Sequence, residues 1–118
     1  MIEKGQIYWL KEPIESEYGN MIAHPQVVIQ ETAINQSRIE TIVVCGISTN
    51  MARAFDVGNV LLQKGEGGLE QQSFISVGQV STIPKPLFGR LIGKLDDNRI
   101  EQTLAGIMLR AHMIHERE

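Results

Sequence analysis

The sequence predicts a mainly β fold that ends in one α-helix. Short apolar runs rich in Val and Ile recur through residues 6–95, and turn-forming Gly, Pro, Asn and Ser residues separate them. Residues 98–118 differ, because their apolar side chains recur at helical spacing. Many short strands closed by one amphipathic helix favour a small, partly open β-barrel or curled sheet. For 118 residues we expect a single domain, residues 1–118, with one core.

The predicted strands are residues 6–10, 26–31, 40–48, 59–63, 73–77, 79–83 and 90–95. The third of these, ETIVVCGIS, is apolar enough to be buried on both faces of a sheet. The glycine-rich segment KGEGGL at 64–69 is predicted to be a turn, since it lacks the following helix and the Lys-Ser/Thr pair of a phosphate-binding loop. The prolines of PKP at 84–86 should end regular pairing, because proline cannot donate to a ladder.

The C-terminal helix is expected to pack its apolar stripe against the sheet. Asn98 can cap its start, and Glu101, three residues later, completes a capping box. His112 and His115 suit the negative end of the helix dipole; without a matching Cys or acid cluster they predict no metal site, and we expect no cofactor. The predicted stripe consists of Ile100, Leu104, Ile107, Met108, Ala111 and Ile114.

Composition excludes several functional classes. A formal net charge of −3 argues against a general basic nucleic-acid-binding protein. The N-terminus MIEKGQIYWL has charges where a signal peptide needs apolar residues, and no run approaches membrane-spanning length. Cys45 is the single cysteine, so we expect a core thiol in a protein of the reducing cytoplasm. Three acid-free stretches would form a basic face if they converge, and they carry His24, Arg53, Lys85, Arg90 and Lys94.

The stretch AHPQVVIQE, residues 23–31, places a histidine at the mouth of an apolar strand. Imidazole is the side chain that ordinarily changes charge between about pH 5 and 8, so His24 suits proton transfer. Pro25 biases the residue before it toward extended geometry, which would hold the backbone of His24 in place. The alternative, a surface turn residue that happens to precede a proline, stays open.

The order of these segments resembles the MazF/PemK toxin family. KGQIYWL corresponds to the family's opening G-[DE]-[IV]-[WY] strand, HPQVVIQ to its R-P pair followed by V-V-[IV], and IVVCGIST to its I-T-[SA] strand end. SFISVGQVSTIPK and LIGKLDDNRIEQTL correspond to its Q-[IV]-[RK]-[TS] segment and its [IL]-G-x-L turn into the last helix. The match runs from about residue 4 to residue 114. Its strength lies in the order of the pieces, since no single piece is specific.

The resemblance implies an SH3-like small β-barrel of the MazF/PemK/CcdB type. It further implies a homodimer that is the toxin of a type II toxin–antitoxin system. Such toxins cleave single-stranded mRNA sequence-selectively without a metal, are bound by a MazE/PemI-like antitoxin, and have no membrane association. CcdB-type proteins share the fold, poison gyrase and cleave nothing. A non-catalytic toxin or binding module on the same fold is therefore the alternative.

We predict that His24, Ser48 and Arg53 are the catalytic residues, the first two because of their positions in the family motifs. His24 occupies the slot of the family's catalytic arginine. Ser48 occupies that of the I-T threonine, which makes it the implied donor to the scissile phosphate. Arg53 is the candidate to replace the missing guanidinium, because arginine binds phosphate oxygens through two N–H groups. Without the resemblance, residues 48–50 indicate only a strand-end turn and Arg53 a solvated loop residue.

The implied substrate contacts lie in three segments. Glu17 corresponds to the acid of the family's G-S-E loop, where it either partners His24 or solvates a mobile loop with its neighbouring acids. Tyr18 and Asn20 are candidates for stacking on and reading an unpaired base. Thr49, Asn50, Gln79 and Ser81 complete the set. Ser81 stands where the family usually has a basic residue, so with His24 the chain lacks two of the family's positive charges.

Overall fold

The computed structural model describes residues 1–15, 19 and 21–117, with side chains as far as His112. The strands are β1 (Gln6–Leu10), β2 (Ile14–Glu15), β3 (Met21–Ile22), β4 (Gln26–Val28), β5 (Thr41–Ser48), β6 (Val60–Leu62), β7 (Ser73–Pro84) and β8 (Phe88–Lys94). The helices are α1 (Thr32–Asn35) and α2 (Asp97–Arg117), and short 3-10 turns lie at Met51–Arg53, Glu66–Gly68 and Lys85–Leu87. Glu17, Tyr18 and Asn20 lie outside the described residues.

Six strands form one antiparallel sheet in the order β6-β7-β5-β4-β1-β8, and β2 pairs with β3 as a separate hairpin. Because successive strand residues point to opposite faces, each inner strand contributes to two core clusters. Ile7 and Val27 belong to the cluster that includes Ile100 of α2, whereas Tyr8 and Val28 belong to the other. The predicted class, mainly β with a C-terminal helix, is confirmed.

The predicted elements differ from the observed ones mainly in length. The predicted strand 26–31 ends at Val28, and β8 begins at Phe88, two residues earlier than expected. The sequence does not predict α1 or the β2–β3 hairpin, because both are too short to show periodicity. Cys45 lies in the core as predicted, and burial raises the pKa of its thiol to about 12.

A bulge merges two predicted strands into the single long strand β7. Cys45 pairs with Val80, but the next residue of β5, Gly46, pairs with Ser76, so residues 77–79 bulge out of the ladder. Gly46 makes room for the bulge, because a Cβ at this position would lie 2.6 Å from Oε1 of Gln79. The bulge therefore sets Gln79 directly over the β5 backbone.

The glycine turn brings the two sheet edges together. Within the described residues no ladder joins the edge strands β6 and β8. Instead, a Cβ on Gly68 would lie 2.6 Å from the Ile92 carbonyl oxygen, and one on Gly93 would overlap the Gly67 carbonyl. Gly67 and Gly68 also have φ angles of 59° and 81°, which other residues rarely adopt. The expected barrel is thus a curled six-stranded sheet whose edges meet through backbone contact.

Helix α2 starts one residue earlier than its predicted cap, and of the described side chains in its predicted stripe only Ile100 and Ile107 pack on the core. It begins at Asp97, so Asn98 lies in the first turn. Leu104 and Met108 of the predicted apolar stripe are 41% and 71% exposed, which corrects that prediction. Ala111 is also exposed, and the side chain of Ile114 lies outside the described residues.

The buried face of α2 consists of Ile100, Thr103 and Gly106, with Ile107 partly buried beside them. Thr103 satisfies its hydroxyl by donating to the Arg99 carbonyl at 2.7 Å, so a polar residue is tolerated in the core. Gly106 contacts Gly58 backbone to backbone. Small residues let the helix axis approach the sheet more closely than the leucine-lined face would.

An ion pair fastens α2 to the glycine turn. Arg99 Nε donates to Oε1 of Glu66 and Nη2 donates to Oε2, each at 2.8 Å. The hydrogen bonds between the two side chains lower the pKa of Glu66 and raise the pKa of Arg99. Both side chains are about one quarter exposed, and the two-point geometry makes this pair stronger than an ordinary surface pair.

We expect Glu66→Gln to lower the free energy of unfolding by about 1 kcal/mol at pH 7. The folded-state pKa of Glu66 lies below its unfolded value, so this stabilisation is present above about pH 4.3 and is lost as pH falls through the folded-state value. The difference between wild type and variant should therefore shrink in acid. Urea unfolding at a series of pH values measures it.

Glu70→Gln is the matched control, because Glu70 is exposed and lies four positions after Glu66. It should leave stability unchanged at every pH. A Glu66→Gln deficit of the same size at pH 3 and pH 7 would contradict the assignment of the ion pair.

Candidate functional site

His24 lies exposed between β3 and β4, and its backbone is held from two sides. The carbonyl oxygen of Pro25 accepts a hydrogen bond from the Ile47 amide at 2.8 Å. The side-chain amide of Gln26, which is 2% exposed, donates to the His24 carbonyl at 2.9 Å. The His24 backbone is therefore fixed just before β4, and its ring is exposed to solvent.

One side of His24 faces a polar groove of about 260 Å³. The groove brings together the end of β5, the turn after it, the β7 bulge and helix α2. Its lining consists of His24, Ser48, Asn50, Arg53, Asp56, Asn59, Phe74, Ser76, Gly78, Gln79 and Arg110. Four predicted residues besides His24 thus share it: Ser48, Asn50, Arg53 and Gln79.

Ser48 ends β5 at the wall of the polar groove and is 8% exposed. Its Oγ accepts a hydrogen bond from the Asn50 amide at 3.1 Å, which orders the strand-end turn. Its own O–H donates to no other described residue. The turn predicted at residues 48–50 is therefore present. The hydroxyl of Ser48 is also available as a donor to a ligand.

Arg53 is held at the end of the 3-10 turn after β5. Its Nε lies 3.2 Å from Oδ2 of Asp56, and its carbonyl accepts from Nδ2 of Asn59 at 2.9 Å. Asn59 in turn accepts the Val77 amide through Oδ1 at 3.0 Å. The side chain of Arg53 is 69% exposed. Its guanidinium is thus free to reorient, apart from one exposed ion pair.

The other side of His24 faces a second cavity of about 340 Å³, called here the tryptophan pocket. Trp9 and Arg90 lie on it beside Glu70 and Gln71, and Thr49 is the predicted residue found here. Trp9 is 39% exposed although it belongs to β1. The remaining lining residues are Ala23, Pro25, Ile47, Gly68, Leu69, Ser73 and Ile92. His24 is common to both cavities.

Ser81 lines neither cavity, since it pairs with Val44 in the middle of the β5–β7 ladder. The expected basic face forms only in part: Arg53 and Arg90 lie beside the cavities with His24. Lys85 instead donates to the Ser37 carbonyl, and Lys94 lies 3.9 Å from Glu3.

The described residues contain no helix long and apolar enough to cross a membrane. Across this same part of the chain, no three His, Cys, Asp or Glu side chains are close enough together to hold a metal ion.

Residues 3–110 match the family model of the PemK-like, MazF-like toxins of type II toxin–antitoxin systems. The chain belongs to this family. Over 109 residues the toxin is 28% identical to endoribonuclease MazF6 of Mycobacterium tuberculosis and to endoribonuclease MazF2 of Mycobacterium bovis. These alignments cover 91% of this chain and 94% of each relative.

Solved structures confirm that the toxin has the fold of this family. An endoribonuclease from a mycobacterial species, solved in complex with its cognate antitoxin, superposes with a TM-score of 0.70 at 16% identity, covering 92% and 93% of the two chains. The Mycobacterium tuberculosis toxin MazF-mt6 superposes with a TM-score of 0.68 at 20% identity, covering 86% of this chain and 91% of the other.

Among the cavity residues of this toxin that could contact a ligand, sequence reasoning missed Trp9 and Arg110, and it named Arg90 only as part of a possible basic face. Trp9 gave no readable signal, because strand alternation places it on the same face of β1 as Ile7, which is buried in the core. Arg110 gave none either. Only the packing of α2 shows that Arg110, four positions after Gly106, lies on the face turned to the sheet.

Proposed function

We propose that this toxin is an endoribonuclease that cleaves single-stranded mRNA sequence-selectively and without a metal ion. The observation that carries this proposal is the convergence of His24, Ser48, Asn50 and two arginines in one groove. Cleavage by a neighbouring 2′-hydroxyl needs proton transfer, hydrogen-bond donors and positive charge around the phosphorus, and this set supplies all three. We further propose that residues 1–118 act as one domain in the cytoplasm.

In the proposed reaction the 2′-oxygen attacks phosphorus, so that the O2′–P bond forms and the P–O5′ bond breaks. His24 takes the proton of the 2′-hydroxyl, because it is an exposed imidazole at the rim of the groove. Ser48 donates its unused O–H to a non-bridging phosphate oxygen. The departing 5′-oxygen receives its proton from water in the open groove.

The tryptophan pocket is a suitable place for the nucleobase next to the cleaved phosphate. Single-stranded RNA is recognised by bases that stack on aromatic rings and by hydrogen bonds to their edges. Trp9 offers an exposed ring, and Glu70 and Gln71 offer polar groups in the same pocket. The loop residues Glu17, Tyr18 and Asn20 remain predicted contacts of the same RNA.

We propose that the toxin works as a homodimer and is silenced by a MazE/PemI-like antitoxin. Leu104, Met108 and Leu109 leave an apolar strip of α2 exposed, which a second copy of the chain would cover; two-fold dimers are the commonest closed assemblies. One neighbour in fold is an endoribonuclease bound to its cognate antitoxin, which supports a partner of that kind here.

The purified toxin should cut a long single-stranded RNA in the presence of excess EDTA. A DNA strand of the same sequence should stay intact, because it lacks the attacking 2′-hydroxyl. Gel electrophoresis of both strands makes the comparison. Intact RNA after prolonged incubation would favour the alternative, a non-catalytic toxin on this fold.

His24→Ala should lower the cleavage rate by about 10²- to 10⁴-fold, the usual contribution of a general base or acid. The fold should persist, since the ring is exposed. His24→Arg should cleave weakly, because a guanidinium stabilises charge on the phosphate but accepts a proton poorly. His112→Ala is the matched control, because His112 lines neither cavity. Wild-type rates for His24→Ala would leave His24 a turn residue.

Ser48→Ala should lower cleavage by roughly 10- to 100-fold, near the range for losing one donor to the transition state. Ser48→Thr should retain activity, because threonine keeps both the hydroxyl donor and the acceptor for the Asn50 amide. Single-turnover rates at saturating enzyme separate this effect from RNA binding. Equal rates for all three proteins would assign Ser48 to the turn alone.

A further inference from the structure

Arg110 enters the polar groove from helix α2, a segment that none of the predicted site residues belongs to. Its guanidinium lies on the backbone of the β7 bulge. A Cβ at Gly78 would lie 2.8 Å from Nη1, 2.9 Å from Cζ and 3.0 Å from Nη2 of Arg110. The guanidinium can occupy this position only because residue 78 has no side chain.

The position of Arg110 is fixed by Gly106, which lies one helical turn earlier in α2 and contacts Gly58. A Cβ at Gly58 would lie 2.5 Å from the Gly106 carbonyl oxygen and 3.0 Å from Cγ2 of Val77. This contact docks α2 against the sheet. Arg110 follows Gly106 by four residues and therefore projects from the same face of the helix, directly over the bulge.

Arg110 differs from Arg53, the other arginine of the polar groove, in having no acidic partner among the described residues. Arg53 is paired with Asp56, and Arg99 with Glu66. Arg110 is partly buried, yet it forms no hydrogen bond or ion pair with any residue of the described part of the chain. A partly desolvated guanidinium with unused donors favours an anion that can accept from it in two places.

We infer that Arg110 binds the phosphate of the RNA backbone in the polar groove and supplies the guanidinium that the family motif has at position 24. This inference rests on the proposed function for its catalytic part, since the bound phosphate is then the one that is cleaved. Arg53, more exposed and already paired, has the secondary role of binding a flanking phosphate. Arg110 of α2 thus replaces the positive charge that the family's arginine would bring at position 24.

Binding to a non-cleavable strand tests the anion site separately from catalysis. The probe is a fluorescent single-stranded DNA oligonucleotide of about ten residues, titrated at several salt concentrations. Arg110→Ala should weaken binding about tenfold, as expected for losing hydrogen bonds to a charged group. The slope of log affinity against log salt should fall by about 0.7, the value for one phosphate contact on a single strand. Arg110→Lys should keep the slope and recover part of the affinity.

Arg38→Ala is the matched control. Arg38 is an exposed arginine that precedes β5, whereas Ser48, which lines the groove, ends this strand, so Arg38 lies near the opposite end of β5. This substitution should change neither the affinity nor the salt slope.

Gly78→Ala provides a second test that leaves Arg110 and every polar group in place. Gly78 does not have a positive φ, so alanine fits the backbone, and its methyl group can only displace the guanidinium. It should weaken binding in the same direction as Arg110→Ala. Because its helix sequence is unchanged, it remains informative if Arg110→Ala proves unstable.

The cleavage assay then separates the two proposals. If wild type cuts RNA, Arg110→Ala should cut at least tenfold more slowly at saturating enzyme. If wild type binds the oligonucleotide through Arg110 but cuts nothing, the anion site stands and the nuclease proposal fails. Two results would overturn the inference about Arg110. One is that the wild-type toxin does not bind the strand. The other is that Arg110→Ala and Gly78→Ala both keep the affinity, salt slope and cleavage rate of the wild-type toxin.

Discussion

Close backbone contact at glycine pairs is the constraint on which the rest of this structure depends. Gly67 and Gly68 rest against β8 and bring the sheet edges together, and Gly58 against Gly106 seats the C-terminal helix. At each contact a single Cβ would occupy space that a backbone atom already fills. Because interiors are close-packed, such a contact cannot be stretched without moving whole elements. The curvature of the sheet and the position of α2 are thus consequences of where the chain has glycine.

The site follows from these contacts. Helix α2 is fastened at its start by the ion pair of Arg99 with Glu66 and two turns later by Gly106, so its path over the sheet is determined at two points. Arg110 lies one turn beyond the second point. The β7 bulge, made possible by Gly46, rises to meet it with Gly78 and Gln79. A groove between strand ends and helix is the result, with His24 at its rim.

The proposed reaction needs two roles, proton transfer and charge stabilisation, and this arrangement assigns them to side chains from different elements. In the proposed reaction His24 brings an imidazole that can take a proton, and the arginines bring positive charge that persists at every working pH. Because the arginines come from other elements than His24, the groove keeps positive charge although position 24 has no arginine. The proposed chemistry then depends on helix docking as much as on the strand mouth itself.

The sequence by itself determined the positions of most strands of the six-stranded sheet, the C-terminal helix, the buried Cys45 and the order of motifs that marks the family, because periodicity and turn residues act over a few positions. It also predicted that His24, Ser48, Asn50, Arg53 and Gln79 belong to a site, and the structure places all five at one groove. Only the tertiary structure decided that Ser81 stays in the ladder, that α2 packs through Thr103 and Gly106 rather than Leu104, and that Trp9 and Arg110 reach the cavities. The reason is physical: which face of a helix is buried depends on how closely it can approach the sheet. That distance is set by glycines far apart in the chain, at Gly58 and Gly106, which no local pattern connects.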